Sequence, residues 1–313
     1  MKYQKIVLAG GNGYLGNVLA KYYQSLSKEI IILSRKPQNS HENIRTLVWD
    51  GKTKGDWVGE LDGADVLINL CGKNVSCRYT PKNQQEILSS RILPTQVLGE
   101  SIQTLLNPPK LWINFASATI YRHAEDRPQD EDHGEIGRGF SIEVCTQWEE
   151  CFFKTLTPKT RKIALRTSIV LGNDDGAFPR LVNLSKLGLG GKQGNGKQFV
   201  SWIHELDVAR CTEWLIKHTE LDGIINCTSP YPIRNQDFMA LIRRSLKVPL
   251  GIPTPAWLLE IGAQFIGTET ELILKSRWVL PSRLRNAGFS FQFENAKDAI
   301  GNLIQNPIKG SYK

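Results

Sequence analysis

Short apolar runs recur along the first half of the chain, spaced to leave room for a helix between neighbours. KIVLA (5–9), IIIL (30–33), TLVW (46–49), DVLINL (65–70), LWINFAS (111–117) and IALRTSIVL (163–171) read as buried strands. Helical patterns fall between them near 15–26, 82–106, 140–155 and 177–187. Strands separated by helix-length segments predict right-handed crossovers and a parallel sheet covered on both faces. Pro94 lies inside the longest helical pattern, so that helix is expected to kink or to begin there.

After residue 171 the rhythm changes. GNDDGAF, LGLGGKQGNGKQ, CTSPYPIRNQ and VPLGIPTPAW are rich in glycine and proline, and they surround regular stretches at 204–218 and 223–227. The expected architecture is α/β: a Rossmann-like, doubly wound parallel sheet with a smaller, discontinuous C-terminal substrate lobe. Residues 1–171 form the nucleotide-binding domain, to which 204–227 return, and 172–203 and 228–313 form the lobe.

The chemistry begins at the first crossover. KIVLAGGNGYLGNVLAKYY places Gly10, Gly13 and Gly16 between a strand and a helix that opens on Tyr14 and Leu15. That turn lets the backbone approach a pyrophosphate and aims helix N–H groups at it, while Gly16 permits close packing of helix on strand. NAD binders usually end the second strand with a carboxylate for the ribose 2′-hydroxyl. This chain has Ser34, Arg35 and Lys36 there, two cations where a 2′-phosphate would sit, and NADP (NADPH) is the expected cofactor. Asp50 and the turn Leu70, Cys71 and Gly72 fall where the adenine and adjoining ribose would lie.

Composition narrows the remaining classes. With 313 residues, 41% hydrophobic and 22% charged, the chain has ample core for one or two domains. No apolar run approaches a membrane span. Its six cysteines include no metal-ligand spacing, so no metal site is expected and a reduced, cytoplasmic protein is the default. The net charge of +8 suits an anionic ligand, but the basic residues are scattered, and nucleic acid is not the expected partner. GKQGNGKQ (191–198) approaches a P-loop but ends in Gln and precedes a strand-like segment, so it is not read as an ATP site. A small-molecule substrate is expected, with no membrane and a monomeric or homodimeric state left open.

These residues resemble the extended short-chain dehydrogenase/reductases. FASATIY (115–121) looks like the serine-bearing strand end of sugar-nucleotide epimerases, preceded by Ala116 and with Ser117 at the catalytic serine's position. LRTSIVLG, GNGKQFVSWIHELDVA, NCTSPYPIRNQDF, the C-x-x-W-E helix motif and the closing GFSFQF resemble one subgroup more closely, the atypical "epimerase family" proteins whose C-terminal domain has no assigned function. The resemblance implies an NADP-binding Rossmann domain and a small substrate lobe, but supplies no reaction.

In ordinary members of that family a tyrosine moves the proton that accompanies hydride transfer, and a lysine one turn later lowers its pKa. Here FSIEVCTQWEEC (140–151) offers Val144 and Trp148, or Cys145 and Glu149, depending on register. No tyrosine in the chain is followed four residues later by lysine. The candidate proton carriers are Tyr121, then His204 or Cys145, with Ser117 polarising the substrate and Trp148 packing over the nicotinamide. The expected function is an NADP-dependent oxidoreductase or epimerase-like enzyme on a small carbonyl or sugar-nucleotide substrate. The alternative is a noncatalytic NADP(H)-dependent sensor or assembly factor.

Overall fold

In a computed structural model, which describes residues 2–36, 41–266 and 269–306, seven strands form one parallel sheet. They are β1 (Tyr3–Ala9), β2 (Ser27–Ser34), β3 (Ile44–Val48), β4 (Val66–Asn69), β5 (Leu111–Ser117), β6 (Arg161–Thr167) and, after an excursion, β10 (Gly223–Cys227). Their order is β10-β6-β5-β4-β1-β2-β3. The chain builds outward from β1 to β3, crosses back to β4 beside β1, and then builds the other way. That reversal opens a crevice beyond the carboxyl ends of β1 and β4.

The strands read as near-continuous apolar runs because both faces are covered. Alternate residues serve opposite layers. Ile6 and Leu8, Ile30 and Ile32, Val66 and Ile68, and Ile113 and Phe115 pack on one side, against Leu19 and Tyr23 of α1 (Tyr14–Gln24) and Val208, Cys211 and Leu215 of α5 (Glu205–Lys217). Val7, Ile31, Leu67, Trp112 and Ala116 face the other way, onto Val97, Leu98 and Ile102 of α2 (Pro81–Ile102) and Phe152 of α3 (Phe140–Lys154). Each such fully buried side chain stabilises the fold by roughly 1.5–3 kcal/mol.

Helix α2 begins at Pro81, not Pro94. Thr80 caps it by accepting from Asn83 N (3.3 Å), and proline suits the first turn, whose N–H groups have no helical acceptor. Pro94 lies buried within the helix. The run IALRTSIVL is likewise two strands. Ser168 N donates to the Cys227 carbonyl (3.1 Å), and the chain leaves the sheet as β7 (Ile169–Leu171), paired with β9 (Trp202–His204).

The C-terminal lobe has its own core. Leu171, Phe178 of α4 (Ala177–Lys186), Trp202, Phe238 and Ile242 of α6 (Asn235–Ser245), and Ile300 and Leu303 of α10 (Ala296–Gln305) pack together. β8 (Phe199–Val200) pairs antiparallel with β11 (Ile233–Arg234). The segment following GNGKQ is therefore a strand, and nothing there resembles a P-loop helix. Two further helices, α7 (Ala256–Ile266) and α8 (Glu271–Leu274), follow, whereas α9 (Ser282–Asn286), expected in the lobe, packs Leu284 into the core of the parallel sheet with Leu221 and Ile225. Residues 307–313, the end of the expected lobe, lie outside the described residues. Among the described residues no helix is long and apolar enough to cross a membrane.

Candidate functional site

The glycine turn sits at the mouth of the crevice. Gly10 has φ +74°, and a Cβ there would lie 2.9 Å from Cys71 Sγ and 3.0 Å from Cys71 N. The turns after β1 and β4 therefore touch, which only glycine allows. Gly16 lets α1 press on the loop: a Cβ would come within 2.0 Å of the Gly11 carbonyl oxygen. Gly13 differs. Its φ of −81° suits any residue, and the nearest neighbour of a Cβ would be Gly10 O at 3.9 Å. No protein atom demands glycine at that point.

Gly13 is the N-cap of α1, with no capping side chain and no acidic residue in the first turn. The N–H groups of Tyr14, Leu15 and Gly16 open the helix at its positive end. Asn12 Nδ2 donates to the Lys36 carbonyl (3.0 Å), tying the glycine turn to the end of β2, and Asn12 Oδ1 is buried with no hydrogen-bond partner among the described residues. Ser34 Oγ accepts from Lys36 N (3.3 Å), and Arg35 and Lys36 are exposed beyond it. These features fit a pyrophosphate at Gly13 and a further phosphate near Arg35.

Leu70 continues β4, its N–H donating to Ala9 O (2.8 Å). Cys71 N donates to Asn69 Oδ1 (3.1 Å), and Asn69 is held by Asn114 (2.7 Å) and Thr95 (3.1 Å). Burial pushes the Cys71 thiol up to about 12, so it is neutral. Asp50 is exposed and accepts from Lys52 N, Thr53 N and Thr53 Oγ1, a local turn that holds its carboxyl below the usual range. Tyr14 donates to Glu205, joining α1 to α5.

At the end of β5, buried Ala116 leads to Ser117, whose Oγ accepts from Thr119 N (3.2 Å). An acceptor bond leaves the hydroxyl hydrogen available to donate. The remaining candidates are engaged elsewhere. Tyr121 is 1% exposed; its hydroxyl donates to Asn226 Oδ1 (3.0 Å) and accepts from Arg166 Nη1 (2.9 Å). Arg166 in turn forms a buried two-pronged pair with Glu149, at 2.8 and 2.7 Å. Glu149 is thus consumed by Arg166, and Cys145 lies among Ala118, Ile120, Tyr121, Ile142 and Val279. Burial lifts the Cys145 thiol to about 11 despite nearby cations. Trp148 is buried, its Nε1 donating to Thr95 Oγ1 (2.9 Å). His204 caps α5, accepting from Leu206 N (3.1 Å), and stacks on Phe293 with ring centroids 4.0 Å apart. Burial drops its imidazole to about 4.

Three cations near this strand end escaped sequence reasoning. Arg91 of α2 lies over the Trp148 ring, 5.3 Å from its centroid, and a Cβ on Gly72 would be 3.1 Å from its guanidinium carbon. Lys275 Nζ donates to the Thr119 carbonyl (3.3 Å), and Arg277 is buried two residues on. Nothing in their local sequence separates them from surface charge.

A seven-stranded parallel sheet in this order, with a glycine turn at the switch point, defines a Rossmann-like dinucleotide-binding protein. Residues 6–227 match the NAD dependent epimerase/dehydratase family, and the chain belongs to it; residues 254–303 match a domain of unknown function (DUF1731). An epimerase family protein of Staphylococcus epidermidis is 29% identical over 303 residues, covering 96% of this chain and 99% of that one. The crystal structure of human epimerase family protein SDR39U1 with NADPH is 26% identical and covers 97% of this chain and 100% of that chain, with a TM-score of 0.85. A UDP-N-acetylglucosamine 4-epimerase from Methanobrevibacter ruminantium, at 16% identity and a TM-score of 0.77, shares the fold.

Proposed function

We propose that the protein is an NADP(H)-dependent oxidoreductase or epimerase-like enzyme acting on a small carbonyl or sugar-nucleotide substrate. The observation that carries this reading is Gly13, a glycine required by no protein atom at the uncapped start of α1, with Arg35 and Lys36 beyond the adjacent strand. The likeness to a human relative whose structure contains NADPH supports it. Bound NADP(H) supplies hydride transfer at the nicotinamide. The first turn of α1 would hold the pyrophosphate and Arg35 the 2′-phosphate. Ser117 would donate its free hydroxyl hydrogen to the substrate oxygen and stabilise charge developing there.

Tyr121 drops out as a proton carrier because its hydroxyl is committed to Asn226 and Arg166, His204 because its Nδ1 caps α5 and burial keeps the ring neutral, and Cys145 because it is buried in an apolar cluster. That same commitment favours the second reading, a noncatalytic NADP(H)-dependent sensor. Calorimetry with NADPH tests the shared premise. Turnover of a panel of carbonyls and sugar nucleotides, lost on Ser117→Ala, then separates the two: an NADPH-binding protein with no turnover, indifferent to Ser117→Ala, refutes the enzyme.

A further inference from the structure

The C-terminal lobe carries apolar side chains that its core does not take up. Residues 187–194 and 250–254 run side by side. Ile252 N donates to Gly188 O (2.8 Å), Gly191 N to Ile252 O (3.2 Å), Thr254 N to Lys192 O (2.9 Å) and Gly194 N to Thr254 O (2.9 Å). A Cβ on Gly191 would lie 2.3 Å from Ile252 O, so glycine is what lets the two segments meet. Along this ladder Leu187, Leu250 and Ile252 are 74%, 77% and 62% exposed. Helix α7 begins directly after it, and Trp257, Leu258 and Ile261 are exposed there as well. Trp257 and Ile261, four residues apart, share one face of the helix, and Leu258 opens a second. Single exposed apolar residues are ordinary, but a cluster built from two paired segments and a helix marks a contact surface.

Charge says what covers it. Stretches 186–197 and 243–261 carry Lys186, Lys192, Lys197, Arg243, Arg244 and Lys247 against one carboxylate, Glu260. The Arg243 guanidinium donates to the Gly190 carbonyl, and Val248 N donates to Arg243 O (2.9 Å), so the end of α6 is fastened to the same ladder. Lys186, Lys192 and Lys247 are exposed beside the apolar side chains. A second copy of the chain would set these cations against themselves, which like-charge repulsion opposes. A protein groove takes one apolar stripe of a helix, whereas here apolar side chains project from a ladder and from two faces of α7. An anionic bilayer accepts all of them: acyl chains take apolar side chains in any direction, tryptophan sits at the headgroups, and lysine and arginine meet the phosphates.

We propose that this ladder and the start of α7 are the surface by which the lobe docks on an anionic lipid bilayer. The expectation of no membrane rested on the lack of a spanning run, which a surface contact does not need. The docking surface is independent of the cofactor site and stands or falls apart from the proposed activity.

The test is co-sedimentation of the full chain with vesicles of phosphatidylcholine and of phosphatidylcholine mixed with phosphatidylglycerol. The mixed vesicles should bind it about tenfold or more tightly than the neutral ones. The double variant Trp257→Ser/Ile261→Ser should weaken that binding about tenfold or more, the loss of two side chains buried in lipid. Lys192→Gln and Lys247→Gln should each weaken it about fivefold. Thermal melts should match wild type throughout, because these side chains are exposed. Should the double variant misfold, brominated lipid gives the answer: it should quench the fluorescence of wild type more than that of Trp257→Phe, and equal quenching overturns the proposal. Absence of binding to the mixed vesicles also overturns it. So does binding that Trp257→Ser/Ile261→Ser leaves intact, which is mere adhesion of a chain with net charge +8. A wild-type dimer in sedimentation velocity that the double variant dissolves hands the face to a second copy and overturns it too.

Discussion

Replacing Glu149 by Gln should destabilise the protein severely without touching the cofactor site. Glu149 and Arg166 are 6% and 4% exposed and meet through two hydrogen bonds of 2.8 and 2.7 Å. Arg166 also donates to Tyr121, over whose ring its guanidinium carbon sits 4.9 Å from the centroid. Neutralising the carboxylate leaves that guanidinium buried with neutral partners, a loss of about 3–5 kcal/mol. Against a typical native stability of about 5–15 kcal/mol this is a large fraction. Arg166→Met should cost a similar amount, because Glu149 is then stranded. The double variant Glu149→Leu/Arg166→Met should lose much less than the two single losses combined, since no buried charge remains. Urea unfolding followed by tryptophan fluorescence and far-ultraviolet circular dichroism measures all three. A Glu149→Gln loss below about 1 kcal/mol, or additive losses in the double variant, would refute the assignment of this pair to the scaffold.

Gly13→Ala should leave the unliganded fold within about 1 kcal/mol of wild type, since its backbone angles suit alanine, yet weaken NADPH binding; Gly16→Ala, with a Cβ 2.0 Å from Gly11 O, should damage both. Thermal melts and calorimetry separate the two outcomes. Arg35→Ala should weaken NADPH by about tenfold or more, one charge-assisted contact to the 2′-phosphate, with NADH affinity unchanged in parallel titrations. For His204 the folded-state pKa, about 4, lies below the usual 6.5. Its contribution to stability is therefore complete above pH 6.5 and is lost as pH falls toward 4. His204→Asn, which keeps a capping oxygen, should flatten that limb in urea melts across pH, and turnover in wild type should show no inflection assignable to His204 near neutrality.

What the sequence disclosed followed from locality. The cradle is written within one strand, one turn and one helix, so Gly10, Gly13 and Gly16 could be placed from spacing alone, and the parallel order followed from strands alternating with helices. β5 coincides with LWINFAS, and the regular stretch at 223–227 is the strand β10. Long-range pairing defeated the same logic. IALRTSIVL is uninterrupted in hydropathy, and only the bond from Ser168 to Cys227 reveals where the chain leaves the sheet. Tyr121 is well sited for proton transfer by sequence, but its hydroxyl partners lie 45 and 105 positions away. Helices α6 and α10 carry clear apolar faces that were hidden among glycine- and proline-rich connections.

Two cations meet the second half of α3. Trp148 and Glu149 each meet a cation from another element: Arg91 lies over Trp148, and Arg166 grips Glu149. The first cation has no carboxylate among the described residues and donates to the Ile87 and Lys73 carbonyls, and the second is fully paired. Cys145 measures the balance between them. Arg91, Lys275 and Arg166 all pull its pKa down and Glu149 pushes it up, yet desolvation outweighs the sum and leaves the thiol at about 11. A thiol that stays protonated in such company cannot be the nucleophile or the base at neutral pH.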